Sequence, residues 1–406
     1  MSNCVAILAT MDTKGEECEF LRQQIEQHGG RALLIDFGVV SDTKIDVDFN
    51  QGDVATLGGS TIDRLRINPS RETASQVMVE GASKLLLQLI TDDKVHALIS
   101  LGGTQGTSNA CQVMQQLPYG FPKIMVSTMA SGDTSDYVGI KDITMMFSVS
   151  DILGLNPFLR RVLANAAGAA YGMSLSTEKI SFNTDKPLVG ISNLGVLTQG
   201  TMMAVEMFAD RGFESIVFHA VGPAGRAMEQ MMTEGIITAV FDFALGDIAD
   251  SVHGGIRAAD ENRLTVAGQL GLPQVVVPGG IDHLGIHLDQ PNSVPDKYKD
   301  ALYSYHNPTI LVPRTTGSEM AEIMKVIAGR LQHSKDNTIF MLPKRGVSSY
   351  SADTGALYDT VSDEIFHQSV RDLLPKNIPL IEMDNNAEDE EFIRKAVDTL
   401  ISLVSH

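Results

Sequence analysis

The chain has 406 residues, 43% of them hydrophobic and 20% charged, with a formal net charge of −19. That length supports two or three ordinary domains with large buried cores, and the composition is that of a globular chain. A net acidic chain without a long basic run argues against a nucleic-acid partner, and no apolar run approaches the roughly 20 residues that span a bilayer. Met1-Ser2-Asn3-Cys4 lacks the charged start of a signal peptide, and Cys4, Cys18 and Cys111 are odd in number and lack metal-ligand spacing. Reduced thiols and a cytoplasmic location are therefore expected.

In chain order, Val5–Ala9 predicts a strand, Glu16–His28 a helix ended by Gly29-Gly30, and Ala32–Asp36 a second strand. Residues 41–69, with Gly58-Gly59 and Asn68-Pro69, read as an irregular excursion. A helix over Ser70–Thr91 then leads to a strand at Ala97–Leu101, a Gly-rich loop, a helix through Gln116 and a strand at Lys123–Ser127. The apolar segment Leu159–Leu175 and the polar stretch Ser176–Lys186 follow, and the latter marks the boundary between domains 1–180 and 181–406.

The second half repeats this grammar. Strands are expected at Pro187–Ser192, Ser215–His219, Ala239–Phe243 and Gln274–Val277, with later β-rich stretches at Thr309–Pro313 and Thr338–Leu342. Helices are expected over Thr201–Arg211, up to Gly235, and near 317–332 and 359–373. Gly222-Pro223-Ala224-Gly225 reads as a turn, and the acidic run Glu388-Asp389-Glu390-Glu391 as the dipole-complementing start of the last helix. Alternating β and α elements predict an α/β protein with two Rossmann-like domains, whose mainly parallel sheets carry helices on both faces.

Three loops in the first half follow strands: Ala9–Gly15, Gly102–Thr107 and Ser127–Ser135. Gly, Ser and Thr there leave backbone N–H groups uncovered and add hydroxyl donors, which suits an anion. The candidate ligands are Thr10, Asp12, Thr13 and Lys14, then Gly102, Gly103, Thr104, Gln105, Gly106 and Thr107, then Ser127, Ser131, Gly132, Asp133, Thr134 and Ser135. Lys14 offers an ammonium to a phosphate, and Asp12 or Asp133 an oxygen to magnesium. Neither the P-loop spacing nor Gly-x-Gly-x-x-Gly is present, so the common nucleotide fingerprints are excluded.

The second half offers Gly279-Gly280-Ile281-Asp282-His283-Leu284-Gly285-Ile286-His287 beyond a strand. Asp282 and His283 are candidates for acid–base catalysis, and His283 with His287 would share one face of a helix as metal-binding pairs do. Asp247, with Asp250, is a further candidate base or ligand when it is not simply a helix cap. His253 and Arg314 lie near element ends, and Arg314 reads as a carboxylate clamp or a surface ion-pair partner.

At these residues the chain resembles the family of the N-terminal ATP-binding domain of the plant tomato mosaic virus resistance protein, which has stand-alone bacterial members. The resemblance is carried by Ala9–Glu16, Gly102–Thr107, Met125–Asp133, Asp151–Asn156, Arg160–Ala167, Gly195–Thr198, Gly222–Glu229 and Tyr305–Pro308. It implies two α/β domains, a homodimer, and ATP with Mg2+ among the loops of the first domain. It also implies a separately encoded barrel protein of the phosphoenolpyruvate-hydrolase type as partner. His283 and His287 depart from the apolar residue that relatives carry after the aspartate. The reading is an ATP-binding protein acting on a small anionic substrate in the cleft between halves, by phosphoryl transfer or carboxylate activation. A nucleotide-sensing dimeric module without turnover, and a nucleotide-independent hydrolase or isomerase of a sugar-acid-like substrate, are the alternatives.

Overall fold

The computed structural model describes residues 2–67, 70–178, 180, 186–335 and 337–405. Two compact units divide the chain, Met1–Ser181 and Phe182–His406. The expected turn Asn68-Pro69 and most of the boundary stretch Ser176–Lys186 lie outside the described residues.

The first unit runs β1 (Cys4–Ala9), α1 (Met11–Gln27), β2 (Arg31–Asp36), α2 (Gln51–Leu57), α3 (Ile62–Ile67), α4 (Arg71–Thr91), β3 (Ala97–Gly102), α5 (Thr104–Gln116), β4 (Lys123–Ser127), α6 (Ser135–Val138), β5 (Thr144–Phe147) and α7 (Pro157–Ser174). Its sheet is parallel with strand order β2-β1-β3-β4-β5. Every residue of β1, β3 and β4 is buried, whereas β5 at the edge is partly exposed. Helices on both faces explain why the central strands read as continuous apolar runs without alternation.

Two differences from the sequence reading stand out. Helix α1 starts at Met11 rather than Glu16, and Lys14 inside it departs from helical geometry (φ −125°, ψ 16°). The excursion at 41–69 contains α2 and α3, and α2 is opened by a reciprocal capping box between Asn50 and Asp53. Helix α2 packs closely on α4, with Gly58 and Gly81 at the contact: a Cβ on Gly81 would lie 1.9 Å from the Val54 carbonyl oxygen.

The second unit runs β6 (Leu188–Asn193), α8 (Thr198–Asp210), β7 (Glu214–His219), α9 (Gly222–Thr233), β8 (Ala239–Ala244), α10 (Gly246–His253), α11 (Val266–Leu270), β9 (Gln274–Gly279), β10 (Ile286–His287), β11 (Tyr303–Asn307), β12 (Ile310–Pro313), α12 (Gly317–Leu331), β13 (Thr338–Pro343), α13 (Thr360–Leu373), β14 (Leu380–Met383) and α14 (Glu390–Val404). A six-stranded parallel sheet has the order β14-β13-β9-β8-β6-β7, and an antiparallel sheet the order β10-β12-β11. Gly222–Gly225 forms the first turn of α9 rather than a separate turn, because Pro223 is tolerated in a first helical turn. In the acidic run, Glu388 accepts from the amides of Gln199 and Gly200, so it caps α8 rather than its own helix.

A polar cluster is buried in this unit. Arg263 donates to Asp242 (2.7 Å), to Asp247 (2.9 Å) and to the Ala244 carbonyl (3.1 Å), and Gln274 donates to the other Asp242 oxygen (2.7 Å). Burial works against the guanidinium charge, but Asp242 and Asp247 outweigh it and raise its pKa. Glu229 lies beside this cluster and accepts from the Leu264 amide; burial pushes its carboxyl up to about 8 even with Arg263 near.

Two stability predictions follow from these contacts. Gly81→Ala would gain about 1 kcal/mol in an open helix, but overpacking against Val54 costs roughly 1–3 kcal/mol. The substitution is therefore expected to lower the urea midpoint. For Glu229, a raised folded-state pKa means stabilisation is fully present below about 4.5 and lost as pH rises through about 8. Glu229→Gln should flatten that loss in thermal unfolding followed across the same window, and an unchanged pH slope would refute it.

Candidate functional site

In the first unit β1 lies between β2 and β3, so chain order reverses at the β1/β3 pair. The crevice beyond the carboxyl ends of such strands is where doubly wound sheets place ligands. The three Gly/Ser/Thr loops follow β1, β3 and β4, which are consecutive in the sheet. The sheet thus brings the expected residues to one edge.

Side chains tie the second and third of these loops together. Ser127 Oγ lies 2.7 Å from Thr107 Oγ1 and accepts from the Met129 amide at 2.9 Å. Thr104 Oγ1 reaches Met129 Sδ at 3.4 Å, and Thr10 Oγ1 lies 3.0 Å from Thr13 Oγ1. Ser127 and Thr107 are buried and serve the framework, while Thr104, Gln105, Ser131, Gly132 and Asp133 are exposed. Gly103 precedes α5, whose first amides at Thr104, Gln105 and Gly106 have no partner within the helix. Gln105 Nε2 donates to Ser75 and Asn109.

The charged candidates differ in state. Lys14 Nζ donates to the Ile152 carbonyl. Asp133 is exposed, with its carboxyl held low by the Ser135 amide and hydroxyl, so it works as a turn residue ahead of α6. Asp12 accepts from the Ser41 amide through Oδ2, but its Oδ1 is buried without a partner. Asp36 converges with it around Gly38, where a Cβ would meet Asp12 Oδ1 at 3.0 Å and Asp36 Oδ1 at 3.1 Å. Burial raises the Asp36 carboxyl, and the Asp12 charge adds to that despite donors from Met11, Gly38 and Gln51.

In the second unit the order again reverses beside β6, which lies between β7 and β8. A cavity of about 540 Å³ opens there, at the carboxyl ends of the strands. Its wall includes Leu194, Val196, Val221, Ile310, Val312 and Tyr350, together with His219, His283, His306 and Arg257.

A chain of hydrogen bonds enters this cavity. The fully buried Asp282 receives His283 Nδ1 at 2.8 Å through Oδ1 and Ser348 Oγ at 2.5 Å through Oδ2. Burial by itself raises this carboxyl, but the neighbouring His283 and Arg314 and the Ser348 hydroxyl together hold it well below the usual range. On the other side of the ring, Nε2 lies 3.2 Å from Arg257 Nη1. A guanidinium has no acceptor, so Nε2 must be the acceptor and Nδ1 must carry the proton towards Asp282. Arg257 is held by Asp250 in bidentate fashion, at 2.8 and 2.9 Å. Asp250 also accepts from the Arg257 and Gly285 amides. Gly255 permits this approach, since a Cβ there would lie 2.2 Å from Asp250 Cγ. Tyr350 meets the His283 ring edge-on at 5.2 Å.

The remaining candidates lie elsewhere in the unit. Asp247 is buried in the Arg263 cluster rather than beside Asp282. His287 is exposed on β10, so His283 and His287 do not share a helical face as the metal-binding reading required. No group of three or more metal-ligating side chains occurs among the described residues. His253 packs on Glu319 and Glu322. Arg314 is buried rather than a surface residue: it donates to the Asp282 carbonyl and pairs with Asp363, whose carboxyl burial pushes up to about 6. The three cysteines are buried, and burial raises each thiol, Cys111 to about 12. Among the described residues no helix is long and apolar enough to cross a membrane.

Residues 3–179 match the N-terminal domain, and residues 186–404 the C-terminal domain, of the uncharacterised protein family UPF0261. The chain belongs to this family. A UPF0261 protein of Clostridium tetani is 38% identical over 405 residues, covering 100% of both chains. The ToMV resistance protein Tm-1(GCR237) of Solanum lycopersicum is 29% identical over 427 residues, covering 98% of this chain and 55% of that protein. Among solved structures, Acinetobacter baumannii MurG aligns over 99% of this chain and 95% of its own. Its 11% identity and TM-score of 0.25 are too low to support any argument. The resemblance carried by the loops thus holds at the level of the family.

Sequence reasoning missed Arg257, Ser348, Tyr350 and His219 as parts of this UPF0261 site. Gly254-Gly255 was the available signal for Arg257, because two glycines after a helix mark a sharp return of the chain. Leaving a buried hydrogen-bonding group without its partner costs about 1–3 kcal/mol, so Asp282→Asn, which cannot accept from both the His283 Nδ1–H and the Ser348 hydroxyl, is expected to lower the denaturation midpoint at neutral pH. The depressed folded-state pKa means this stabilisation is present above the unfolded value near 3.9 and lost as pH falls below it. The gap between wild type and variant should therefore shrink on acidification. A gap of equal size in acid would contradict the assignment.

Proposed function

We propose that this UPF0261 protein is an enzyme that binds ATP at the sheet edge of its first unit and carries out acid–base chemistry at His283 in its second. The observation that carries this reading is the fixed tautomer of His283, with Nδ1–H on Asp282 and the Nε2 lone pair at the cavity wall. An imidazole held this way by a buried carboxylate is poised as a general base, and the carboxylate stabilises the imidazolium that forms. The contact from Arg257 at 3.2 Å is longer than its 2.8 and 2.9 Å contacts with Asp250. It is therefore weaker than those two and yields more readily when a substrate oxygen offers a better acceptor. Release of that contact frees Nε2 to take a proton from the substrate or from a water, while Arg257 steadies the oxygen on which charge develops.

For the nucleotide, Thr104, Gln105 and Gly106 present the amides at the start of α5, and Thr13 and Lys14 lie in the first turn of α1, after the neighbouring strand β1. Asp12 suits a magnesium ion, because its orphan Oδ1 and the raised Asp36 form an acidic pair that a cation would relieve. Bound magnesium would neutralise phosphate charge there. Asp133 is a poorer candidate, since its carboxylate already serves the Ser135 turn.

Titration calorimetry with MgATP tests the first half of the proposal. Binding is expected for wild type and unchanged for His283→Ala, but weakened by roughly tenfold or more, about 1.4 kcal/mol, for Lys14→Ala and Asp12→Ala. Absence of heat at saturating MgATP would sink the nucleotide assignment. For the second half, 15N NMR of the histidines should show His283 protonated at Nδ1 alone, and a proton on Nε2 would remove the base.

A further inference from the structure

The charges around the cavity of the second unit are already spent on one another. Arg257 is neutralised by Asp250 and Arg314 by Asp363, while the Asp282 carboxylate is held by the His283 Nδ1–H and the Ser348 hydroxyl. Among the described residues no lysine lines the cavity, and the other side chains with ring nitrogens or hydroxyls at its wall besides Tyr350 are the exposed His219, His306 and Ser349. Most of the remaining wall is aliphatic or aromatic: Leu194, Val196, Val221, Ile310, Val312 and Tyr350.

The donors of Arg257 can be counted. Its Nε and one N–H of Nη2 go to Asp250, the second N–H of Nη2 goes to the His283 carbonyl, and one N–H of Nη1 goes to His283 Nε2. A guanidinium has five N–H groups, so before a ligand arrives a single N–H of Nη1 is spare, and release of the His283 contact adds only one more on the same nitrogen. Asp250 accepts from four groups in all, Arg257 Nε and Nη2, the Arg257 amide and the Gly285 amide, so the guanidinium cannot swing out to meet an anion in bidentate fashion.

From this we infer that the cavity takes an uncharged carbonyl compound with a compact apolar body, such as an ester, thioester or ketone. The inference rests on the reading of His283 as the base. One carbonyl oxygen matches the one spare N–H of Arg257 and lies beside Nε2, while the body packs on the aliphatic wall. A phosphate or carboxylate would surrender its hydration in a largely apolar cavity with no unpaired cation to receive it, a loss that a neutral carbonyl does not suffer. On this inference the ligand of this cavity is neutral, unlike the anionic substrate expected from the sequence in the cleft between halves. Anion recognition belongs to the loops of the first unit.

NMR titration of the full chain with methyl isovalerate, isovalerate and inorganic phosphate tests this. The ester should move the His283 Nε2 resonance and bind with a Kd roughly tenfold or more below that of isovalerate, and phosphate should leave the ring unmoved. Val312→Asp, which puts a charge on the apolar wall, should abolish ester binding while His283 keeps its Nδ1 proton. Isovalerate or phosphate binding as tightly as the ester would overturn the inference. So would an ester that leaves the ring unmoved while the Nδ1 tautomer is observed, and in that case the base assignment stands. A proton on Nε2 in the free protein would instead bring down the base assignment itself.

Discussion

A parallel sheet in which the first strand lies between the second and third constrains everything else in this protein. In one unit that strand is β1 and in the other β6, and in both the neighbouring connections leave on opposite sides. The backbone there has a crevice that no crossover helix fills. Side chains from loops far apart in sequence can meet in it. Thr10 and Thr104 come to one edge in the first unit, and Val196, Arg257, His283 and Tyr350 to the other in the second.

The two edges have opposite electrostatic designs. In the first, amides at the start of α5 and hydroxyls of exposed loops remain available, and an acidic pair at Asp12 and Asp36 is left incompletely satisfied. Such a surface favours a charged ligand accompanied by a cation. In the second, among the described residues, Arg257 and Arg314 are matched by Asp250 and Asp363, and Asp282 by hydrogen bonds from His283 and Ser348, before any ligand arrives. Fixed dipoles and one oriented imidazole in an apolar wall suit the stabilisation of charge that appears only during reaction. The two edges therefore differ in the charge of the ligand that each suits.

Much of the framework was legible because central strands buried on both faces produce continuous apolar runs, as Val5–Ala9 and Lys123–Ser127 do. Edge strands were harder. β5 and β14 are short and half exposed, so Thr144–Phe147 and Leu380–Met383 carry no run to notice. The helices α2 and α3 were hidden by Gly58-Gly59 and Asn68-Pro69, which read as loop signals although Asn50 and Asp53 marked a helix start. At Gly58 the absence of a side chain instead lets α2 approach α4.

The sequence by itself determined the α/β class and the family, and it singled out the Gly/Ser/Thr-rich segments after β1, β3 and β4 and the pair Asp282 and His283, because turn chemistry and hydrophobic runs are local properties. Tertiary structure decided which of those residues meet. His283 is joined to Ser348 through Asp282 and to Asp250 through Arg257, while Asp247 is drawn into the core by Arg263 and His287 is turned outward on β10. Strand order, burial and ion pairing act between residues tens of positions apart, and they alone settle whether a polar side chain is a site, a strut or a cap.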